Sequence, residues 1–269
     1  MHHFGIFHLS SWLVYFYFYS ICGWIFESGN VSIREHKWVN RGFMKGPWLP
    51  LYGSGAVVIL IVTMPFADNP IAVYFAGAIG ATILEYITGV AMLELFKVRY
   101  WDYRYRKIQF QGQICLVSTI AWGFLSLLMV YGIHPWVERL VGDINVEVVN
   151  VATFVITLLI TYDFTNALRD ALDLRKLIIQ ANELKEKLEA KIEESKEEIE
   201  DKLEEAISQL RYGLSELRED IELRSRKVFL RNPSASMKGL EEESKLLKAK
   251  LYKRFEEMQK EGYGTKSAK

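Results

Sequence analysis

Ionisable side chains lie inside long apolar segments of this 269-residue chain. Glu85 lies midway along the apolar stretch 71–96, where an unpaired charge in a bilayer costs about 3 kcal/mol or more. Gly77, Ala81, Glu85 and Gly89 follow a four-residue spacing, which forms one small-residue stripe on a helix. The stripe predicts that Glu85 points into the protein as a proton carrier or ligand anchor. A structural ion pair is the alternative.

Further charged groups flank the ends of the same segments. Glu27 and Glu94 lie near the ends of two apolar stretches, and cations occupy the adjoining loops. Five side chains are expected to meet at the cytoplasmic interface: Glu27, Arg41, Lys45, Glu94 and Arg99. With Glu85 deeper, they predict a polar cavity open to the cytoplasm. Ion pairs that lock helices together are the alternative for these groups.

A glycine- and proline-rich run, NRGFMKGPWLPLYGSGA, leads into the second apolar stretch at residues 40–56. Pro47 and Pro50, with the repeated glycines, prevent a clean helix start. Non-helical backbone at membrane depth persists only where protein or a water-filled cavity satisfies it. With Arg41 and Lys45, such a broken entry is typical of transport sites for anionic groups. A tight interfacial turn with snorkelling cations is the alternative.

The loop over residues 97–113 carries Trp101, Asp102 and Tyr103 among five cations. An aromatic belt beside a positively charged cytoplasmic loop explains most of this composition. Asp102 differs in charge from its neighbours, and we expect it to pair with Arg99 or Arg41 and so fix the loop.

The elements that must position these groups are membrane helices. Five stretches approach the roughly 20 apolar residues that a bilayer span requires: 7–26, 48–66, 71–96, 114–133 and 148–166. The four connecting loops contain 4, 0, 5 and 1 Lys or Arg residues. Since cytoplasmic loops are enriched in cations, this alternation predicts an N-terminus outside and a C-terminus in the cytoplasm of the plasma membrane. The short loop 134–147, with Trp136, is expected to be an interfacial turn.

The charge distribution divides the chain into two parts. Of 33 basic and 33 acidic residues, only ten of each lie in residues 1–167, together with all seven tryptophans. This excludes a single soluble globular domain and a strongly basic nucleic-acid binder. Cys22 and Cys115 are expected to be plain buried cysteines, without a disulfide framework or a metal site.

The sequence contains none of the common catalytic or nucleotide-binding motifs. No phosphate-binding loop is present, so ATP-driven activity would need a separate ATPase subunit. No zinc-protease or nucleophile-elbow motif occurs either. We expect no cofactor and no metal, and enzymatic activity is left open, with the balance against it.

The tail is predicted to be helical and coiled-coil-like. Residues 168–231 contain no proline and predict one long charged amphipathic helix. Its apolar side chains recur every eleven residues, as in the row Leu177, Leu188, Ile199, Leu210 and Ile221. This period predicts a straight or slightly right-handed coil. After a break at Pro233, residues 232–269 predict a second, shorter amphipathic helix, which folds back or pairs with another chain, and a frayed C-terminus.

The membrane half resembles the putative ABC-transporter type IV (CmpB-like) permease family over about residues 10–165. The motifs that carry the resemblance are Gly23-Trp24 with Glu27, RGFMKGPWLPLYG, Glu85 with Thr88-Gly89, Glu94, Trp101-Asp102-Tyr103 and Gly112 with Cys115-Leu116. The resemblance implies these characteristic polar positions: Glu27, Arg41, Tyr52, Glu85, Glu94, Trp101, Asp102 and Tyr103. The tail lies outside it.

These observations predict an all-α polytopic membrane protein with a transmembrane domain over residues 1–167. Its expected function is that of a permease that moves a small anionic or zwitterionic substrate. The expected partners are the lipid bilayer and a second copy of the chain, paired through residues 177–221. A membrane-anchored scaffold or signalling protein that acts through its coiled coil is the alternative, followed by an intramembrane lipid-active enzyme.

Overall fold

The computed structural model describes residues 9–194 and 201–264. It is 79% helix and 3% strand, which confirms the predicted helical class. The α-helices of the described chain are α1 (Leu9–Glu35), α2 (Pro50–Thr63), α3 (Pro70–Phe96), α4 (Leu116–Leu127), α5 (His134–Gly142), α6 (Val146–Glu194), α7 (Asp201–Arg231) and α8 (Glu241–Gly264). Four two-residue strands join them: β1 (Val98–Arg99), β2 (Gln109–Phe110), β3 (Ile114–Cys115) and β4 (Ser236–Met237).

Four helical stretches are long and apolar enough to cross a membrane: Leu9–Glu35, Pro70–Phe96, Leu116–Gly142 and Val146–Ile192. The second predicted span is shorter, because α2 with its 3-10 extension covers only Pro50–Phe66. The described residues therefore contain four candidate spans, and the predicted count of about five is not confirmed. The predicted turn over residues 134–147 is largely helical, since α5 continues α4 through a π-helical segment, Leu128–Ile133.

The chain divides into two compact units. The first contains residues Met1–Ala91 and Trp101–Leu168, and the second contains Met92–Tyr100 and Arg169–Lys269. Residues 92–96 end α3, as the predicted third span requires, and by their contacts residues 92–100 are grouped with the second unit.

In the first unit, the chain between α1 and α2 runs back along α1. The backbone N–H of Val39 donates to Ser32 Oγ at 2.8 Å, and that of Arg41 donates to Ser28 Oγ at 3.1 Å. The N–H of Leu49 then donates to the carbonyl of Ser20 at 3.0 Å. The twelve residues from Ser32 to Ser20 correspond to about 18 Å of helix. We call residues 39–49 the first fold-back segment, and they explain why α2 begins as late as Pro50.

The loop after α3 folds back in a similar way. Residues 103–116 form a β-hairpin in which Gln109 pairs with Cys115 and Phe110 with Ile114. Tyr86 on α3 donates its hydroxyl hydrogen to Gln111 Oε1 at 3.1 Å. Tyr86 lies ten residues before the end of α3, about 15 Å along the helix. The loop after α3 therefore lies alongside the helix.

In the second unit, α6 and α7 lie antiparallel. Lys227 Nζ lies 3.5 Å from Asp170 Oδ2, and Arg224 Nη1 lies 3.3 Å from Asp173 Oδ2. As the residue number increases along α6, the number of the contacting residue on α7 decreases, which defines an antiparallel pair. The prediction of one continuous helix over residues 168–231 is wrong, because a continuous helix would separate Asp170 from Lys227 by about 85 Å.

The buried side chains of α6 follow a heptad spacing rather than the predicted eleven-residue period. Ala171, Leu174, Ile178 and Ala181 are 96% or more buried, with spacings of three, four and three residues. Of the predicted row, Ile221 is buried, Leu177, Leu188 and Leu210 are half-buried, and Ile199 lies outside the described residues. Heptad spacing fits antiparallel helices that pack at a shallow angle.

The last helix completes the tail unit. Lys250 Nζ on α8 lies 2.6 Å from Glu222 Oε2 on α7, and Lys185 Nζ on α6 lies 3.7 Å from Glu243 Oε1 on α8. Leu247 is buried on the inner face of α8. The second amphipathic helix therefore folds back within the chain, which was one of the two predicted arrangements.

The C-terminal end of α3 is part of the tail unit's core. Strand β1 pairs antiparallel with β4, so that Val98 lies opposite Met237. Val98 is 1% exposed and Met237 is fully buried. Lys238 adds a hydrogen bond to this strand pairing, since its N–H donates to the carbonyl of Lys97 at 2.8 Å. We call these paired strands the α3 clamp.

Candidate functional site

Glu27 on α1 is held by two partners from the next part of the chain. Tyr52, in the first turn of α2, donates its hydroxyl hydrogen to Glu27 Oε1 at 2.7 Å. Arg41 Nε, on the first fold-back segment, lies 3.7 Å from Glu27 Oε2. The Arg41 side chain is only 14% exposed. The first fold-back segment thus places Arg41 beside Glu27, which lies about two turns before the end of α1.

Burial lowers the pKa of the Arg41 guanidinium, and the nearby carboxylate of Glu27 and the phenols of Tyr52 and Tyr103 act against that decrease. A guanidinium remains protonated through such a change, because its ordinary pKa exceeds 12. The site therefore contains a permanent positive charge.

Glu85 on α3 forms the deeper part of the site. It is 5% exposed, and Gly77, Ala81 and Gly89 on the same stripe are also buried. This confirms that Glu85 points into the protein. Tyr103 donates to Glu85 Oε1 at 3.1 Å, and Trp122 Nε1 donates to Glu85 Oε2 at 3.0 Å.

Tyr103 reaches Glu85 because the hairpin lies along α3. Burial, with the carboxylate of Glu85 as the next cause, raises the pKa of the Tyr103 hydroxyl. The hydroxyl therefore keeps its proton and acts as a hydrogen-bond donor to the carboxylate at physiological pH.

The two parts of the site are adjacent. The rings of Tyr52 and Trp122 lie 5.6 Å apart, with their planes tilted by 53°. Tyr52 binds Glu27, and Trp122 binds Glu85, so the two aromatic side chains join the carboxylates. We call the whole set the interior polar cluster: Glu27, Arg41, Tyr52, Glu85, Tyr103 and Trp122.

Lys45 contributes its backbone to a neighbouring arrangement. The N–H of Lys45 donates to Asp163 Oδ1 at 3.1 Å, and the N–H of Gly46 donates to Asp163 Oδ2 at 2.7 Å. Asn40 steadies the turn by donating from its side chain to the carbonyl of Lys45 at 2.6 Å. Successive N–H groups aimed at one carboxylate form an anion-binding concavity, and Asp163 of α6 occupies it.

The other predicted site residues of the first unit have supporting positions. Trp101 Nε1 donates to the carbonyl of Gln113 at 2.9 Å and so closes the hairpin. Asp102 binds Arg104, two residues on, through Nε and Nη2 at 2.9 and 2.7 Å. The structure thus pairs Asp102 with Arg104, a partner that the sequence did not suggest.

Glu94 and Arg99 belong to the tail unit. Glu94 lies 2.6 Å from Lys238 Nζ and 3.0 Å from Lys97 Nζ. Arg99 forms part of the α3 clamp through its pairing with Ser236. The structure therefore places these two residues within the tail unit, apart from the interior polar cluster.

Two residues of the site were not predicted. Trp122 carries an N–H within an apolar span, and such a donor requires a partner; this signal was available in the sequence. Asp163 is an acid near the end of the last span, and only the fold-back of residues 39–49 brings its two donors to it. Within residues 9–194 and 201–264, no group of three or more His, Cys, Asp or Glu residues is placed to hold a metal ion.

The long apolar helices are those of a polytopic helical membrane protein, and with the family match they indicate a membrane transporter component. More particularly, the chain belongs to the family described as putative ABC-transporter type IV, whose profile matches residues 14–168. This match confirms the resemblance found in the sequence. No curated protein and no solved structure matches the chain at a significant level.

Proposed function

We propose that the chain is a permease subunit in which the interior polar cluster moves a small anionic or zwitterionic substrate across the membrane. The observation that carries the proposal is the environment of Glu85. In the described chain this carboxylate is hydrogen-bonded by neutral groups, Tyr103 and Trp122 among them, rather than by a cation. Such an acid can bind and release a proton without breaking an ion pair.

The preference for an anionic group rests on the first fold-back segment. It brings the buried Arg41 into the cluster and already binds a carboxylate, that of Asp163, through two backbone N–H groups. A substrate carboxylate or phosphate requires donors of the same kind. Glu27, hydrogen-bonded to Tyr52, provides an acceptor for the ammonium group of a zwitterion.

The orientation and the partner subunit follow from the same proposal. We place the N-terminus outside and the tail in the cytoplasm, in agreement with the loop charges. A separate ATPase subunit would supply energy if transport depends on ATP. Pairing of two chains through residues 177–221 would have to use side chains other than Ile178, Ala181 and Ile221, which are already buried within one chain.

The test compares cells that lack the protein with cells that produce it at equal membrane levels. Mass spectrometry of small solutes inside and outside the cells identifies the compound whose distribution depends on the wild-type chain. Glu85→Gln keeps the shape of the side chain and removes its charge, so it should abolish that dependence. Glu147→Gln is the matched control, because Glu147 is an exposed acid of the same unit, and it should behave as wild type.

Wild-type transport by Glu85→Gln would contradict the proposed role of this residue. The scaffold alternative makes a different prediction, because it assigns activity to the tail. Removal of residues 170–269 with retained solute transport would exclude that alternative, whereas a phenotype that follows the tail alone, with no solute affected, would favour it.

A further inference from the structure

The hairpin over residues 103–116 has a backbone that is closed by its own hydrogen bonds. The N–H of Tyr103 donates to the carbonyl of Gly112 at 3.0 Å, and the N–H of Leu116 donates to that of Ile108 at 3.1 Å. Gln109 Oε1 accepts from the N–H of Gly112 at 2.6 Å. Because these groups are satisfied within the hairpin, it can lie at a membrane boundary without exposing unpaired backbone to lipid.

The outer surface of this hairpin is both apolar and basic. Tyr105, Ile108 and Phe110 are 72%, 65% and 55% exposed. Arg106 and Lys107 are exposed between them, and the Arg106 guanidinium lies 5.0 Å from the centre of the Tyr105 ring. The sequence has no acidic residue between 103 and 116. We call these five residues the hairpin surface.

The hairpin surface lies beside a membrane span. The ring of Phe110 lies 5.6 Å from that of Tyr86, which is inside α3. Immediately after the hairpin, α4 begins with Leu116 and Val117, which are 46% and 55% exposed. The apolar side chains of the hairpin thus adjoin exposed apolar side chains of a candidate membrane span, and the cations lie on the same short turn.

We infer that the hairpin surface binds anionic lipid headgroups of the surrounding bilayer. Arg106 and Lys107 contact the headgroup phosphates, and Tyr105, Ile108 and Phe110 insert at the boundary of the acyl chains. Arg104 is not one of the lipid contacts, because Asp102 binds it in the structure. This surface is separate from the interior polar cluster and does not depend on a transport function.

Charge complementarity decides which lipid the surface selects. Each nearby Lys or Arg side chain attracts a headgroup with net negative charge, whereas the ammonium of phosphatidylcholine cancels the charge of its phosphate. This attraction raises the association constant of an anionic lipid by up to about fivefold for each cation near the surface. Apolar and aromatic side chains at the interface add affinity for either headgroup. The selectivity for anionic lipids therefore depends on the cations, and the depth to which the hairpin inserts depends on the apolar residues.

The test uses the full chain reconstituted in phosphatidylcholine bilayers that contain spin-labelled phosphatidylglycerol or spin-labelled phosphatidylcholine. Electron paramagnetic resonance measures the association of each lipid with the protein. The wild-type chain should prefer phosphatidylglycerol, and 1 M NaCl should reduce the preference because salt screens surface charge. Arg106→Gln with Lys107→Gln should lose the preference, by up to about fivefold for each cation removed.

The matched control is Arg34→Gln with Lys37→Gln, which removes the same charge from the other basic loop. It should retain most of the preference. Equal losses in the two pairs would show a general charge effect and overturn the assignment to the hairpin. A wild-type chain without preference, or an unchanged preference in Arg106→Gln with Lys107→Gln, would overturn it as well. Arg106, Lys107 and Arg34 are exposed and Lys37 is half-buried, so an unchanged unfolding temperature of each variant must verify that the fold is intact.

Discussion

Gly23 on α1 lies directly against Tyr52 on α2, so close that a Cβ atom on Gly23 would overlap the ring of Tyr52. Tyr52 is also the residue that donates to Glu27, four residues after Gly23 on α1. The close packing of α1 against α2 and the Tyr52–Glu27 hydrogen bond therefore both depend on the absence of a side chain at Gly23.

Gly23→Ala should separate α1 from α2 and weaken the Tyr52–Glu27 hydrogen bond. Overpacking of this kind costs about 1–3 kcal/mol, which thermal unfolding of the purified protein in detergent would reveal as a lower midpoint. Gly29→Ala, on the same helix, is the control, because a Cβ there meets no atom within 4 Å. Equal midpoints for the two variants would show that the helices are not in close contact at Gly23.

Trp122→Phe should destabilise the protein by about 1 kcal/mol, since it keeps an aromatic ring but removes one of the donors to Glu85. The measurement is again thermal or denaturant unfolding. In the Glu85→Gln background the same substitution should cost less, because the charged acceptor is already absent. Additive losses in this double-mutant cycle would contradict a direct Trp122–Glu85 hydrogen bond.

The antiparallel pairing of α6 and α7 predicts a zero-length cross-link between Asp170 and Lys227, whose charged atoms lie 3.5 Å apart. Carbodiimide treatment followed by peptide mass spectrometry would detect it. A mixture of isotopically heavy and light chains separates links within one chain from links between two. Only heavy–heavy and light–light products are expected, and mixed products would instead indicate exchange between chains.

The α3 clamp should depend more on packing than on its ion pair. Met237→Ala removes a fully buried side chain and should cost about 2–5 kcal/mol. Lys238→Met breaks the contact with Glu94, whose side chain is 53% exposed, and should cost at most about 1 kcal/mol. Unfolding of the tail unit, followed by helical circular dichroism, would give this order, and the reverse order would show an ionic clamp.

The proposed orientation predicts that a C-terminal green fluorescent protein fusion is fluorescent and that a C-terminal alkaline phosphatase fusion is inactive. The physical reason is the alternation of basic residues among the loops. An active phosphatase fusion would place the tail outside and would also remove the basis for a cavity open to the cytoplasm.

Local patterns in the sequence predicted those parts of the structure that depend on local physics. The small-residue stripe through Gly77 and Gly89 correctly placed Glu85 in the interior, because a helix has a fixed period. The prolines and glycines of residues 40–56 correctly indicated that the chain just before α2 is not helical, although α2 itself begins regularly at Pro50. Each inference required only one segment and the known geometry of a helix.

The remaining features depend on where one segment meets another. Hydropathy marks residues 97–113 as a loop but does not say that the loop returns to Tyr86 and Glu85. The apolar stripe of a charged helix can be buried equally well by a second chain or by a later segment of the same chain. The contact of Asp170 with Lys227 could therefore not be distinguished from dimerisation in advance.

The first fold-back segment also determines how this protein can enter a membrane. The 14 residues of α2 extend about 21 Å, less than the roughly 30 Å of the hydrocarbon layer. The chain before Pro50 obtains hydrogen-bond partners from Ser32, Ser28 and Ser20 of α1. Delivered alone by the insertion machinery, α2 would bring unpaired backbone into lipid. We therefore expect α1 and α2 to enter the bilayer together, as one preassembled pair.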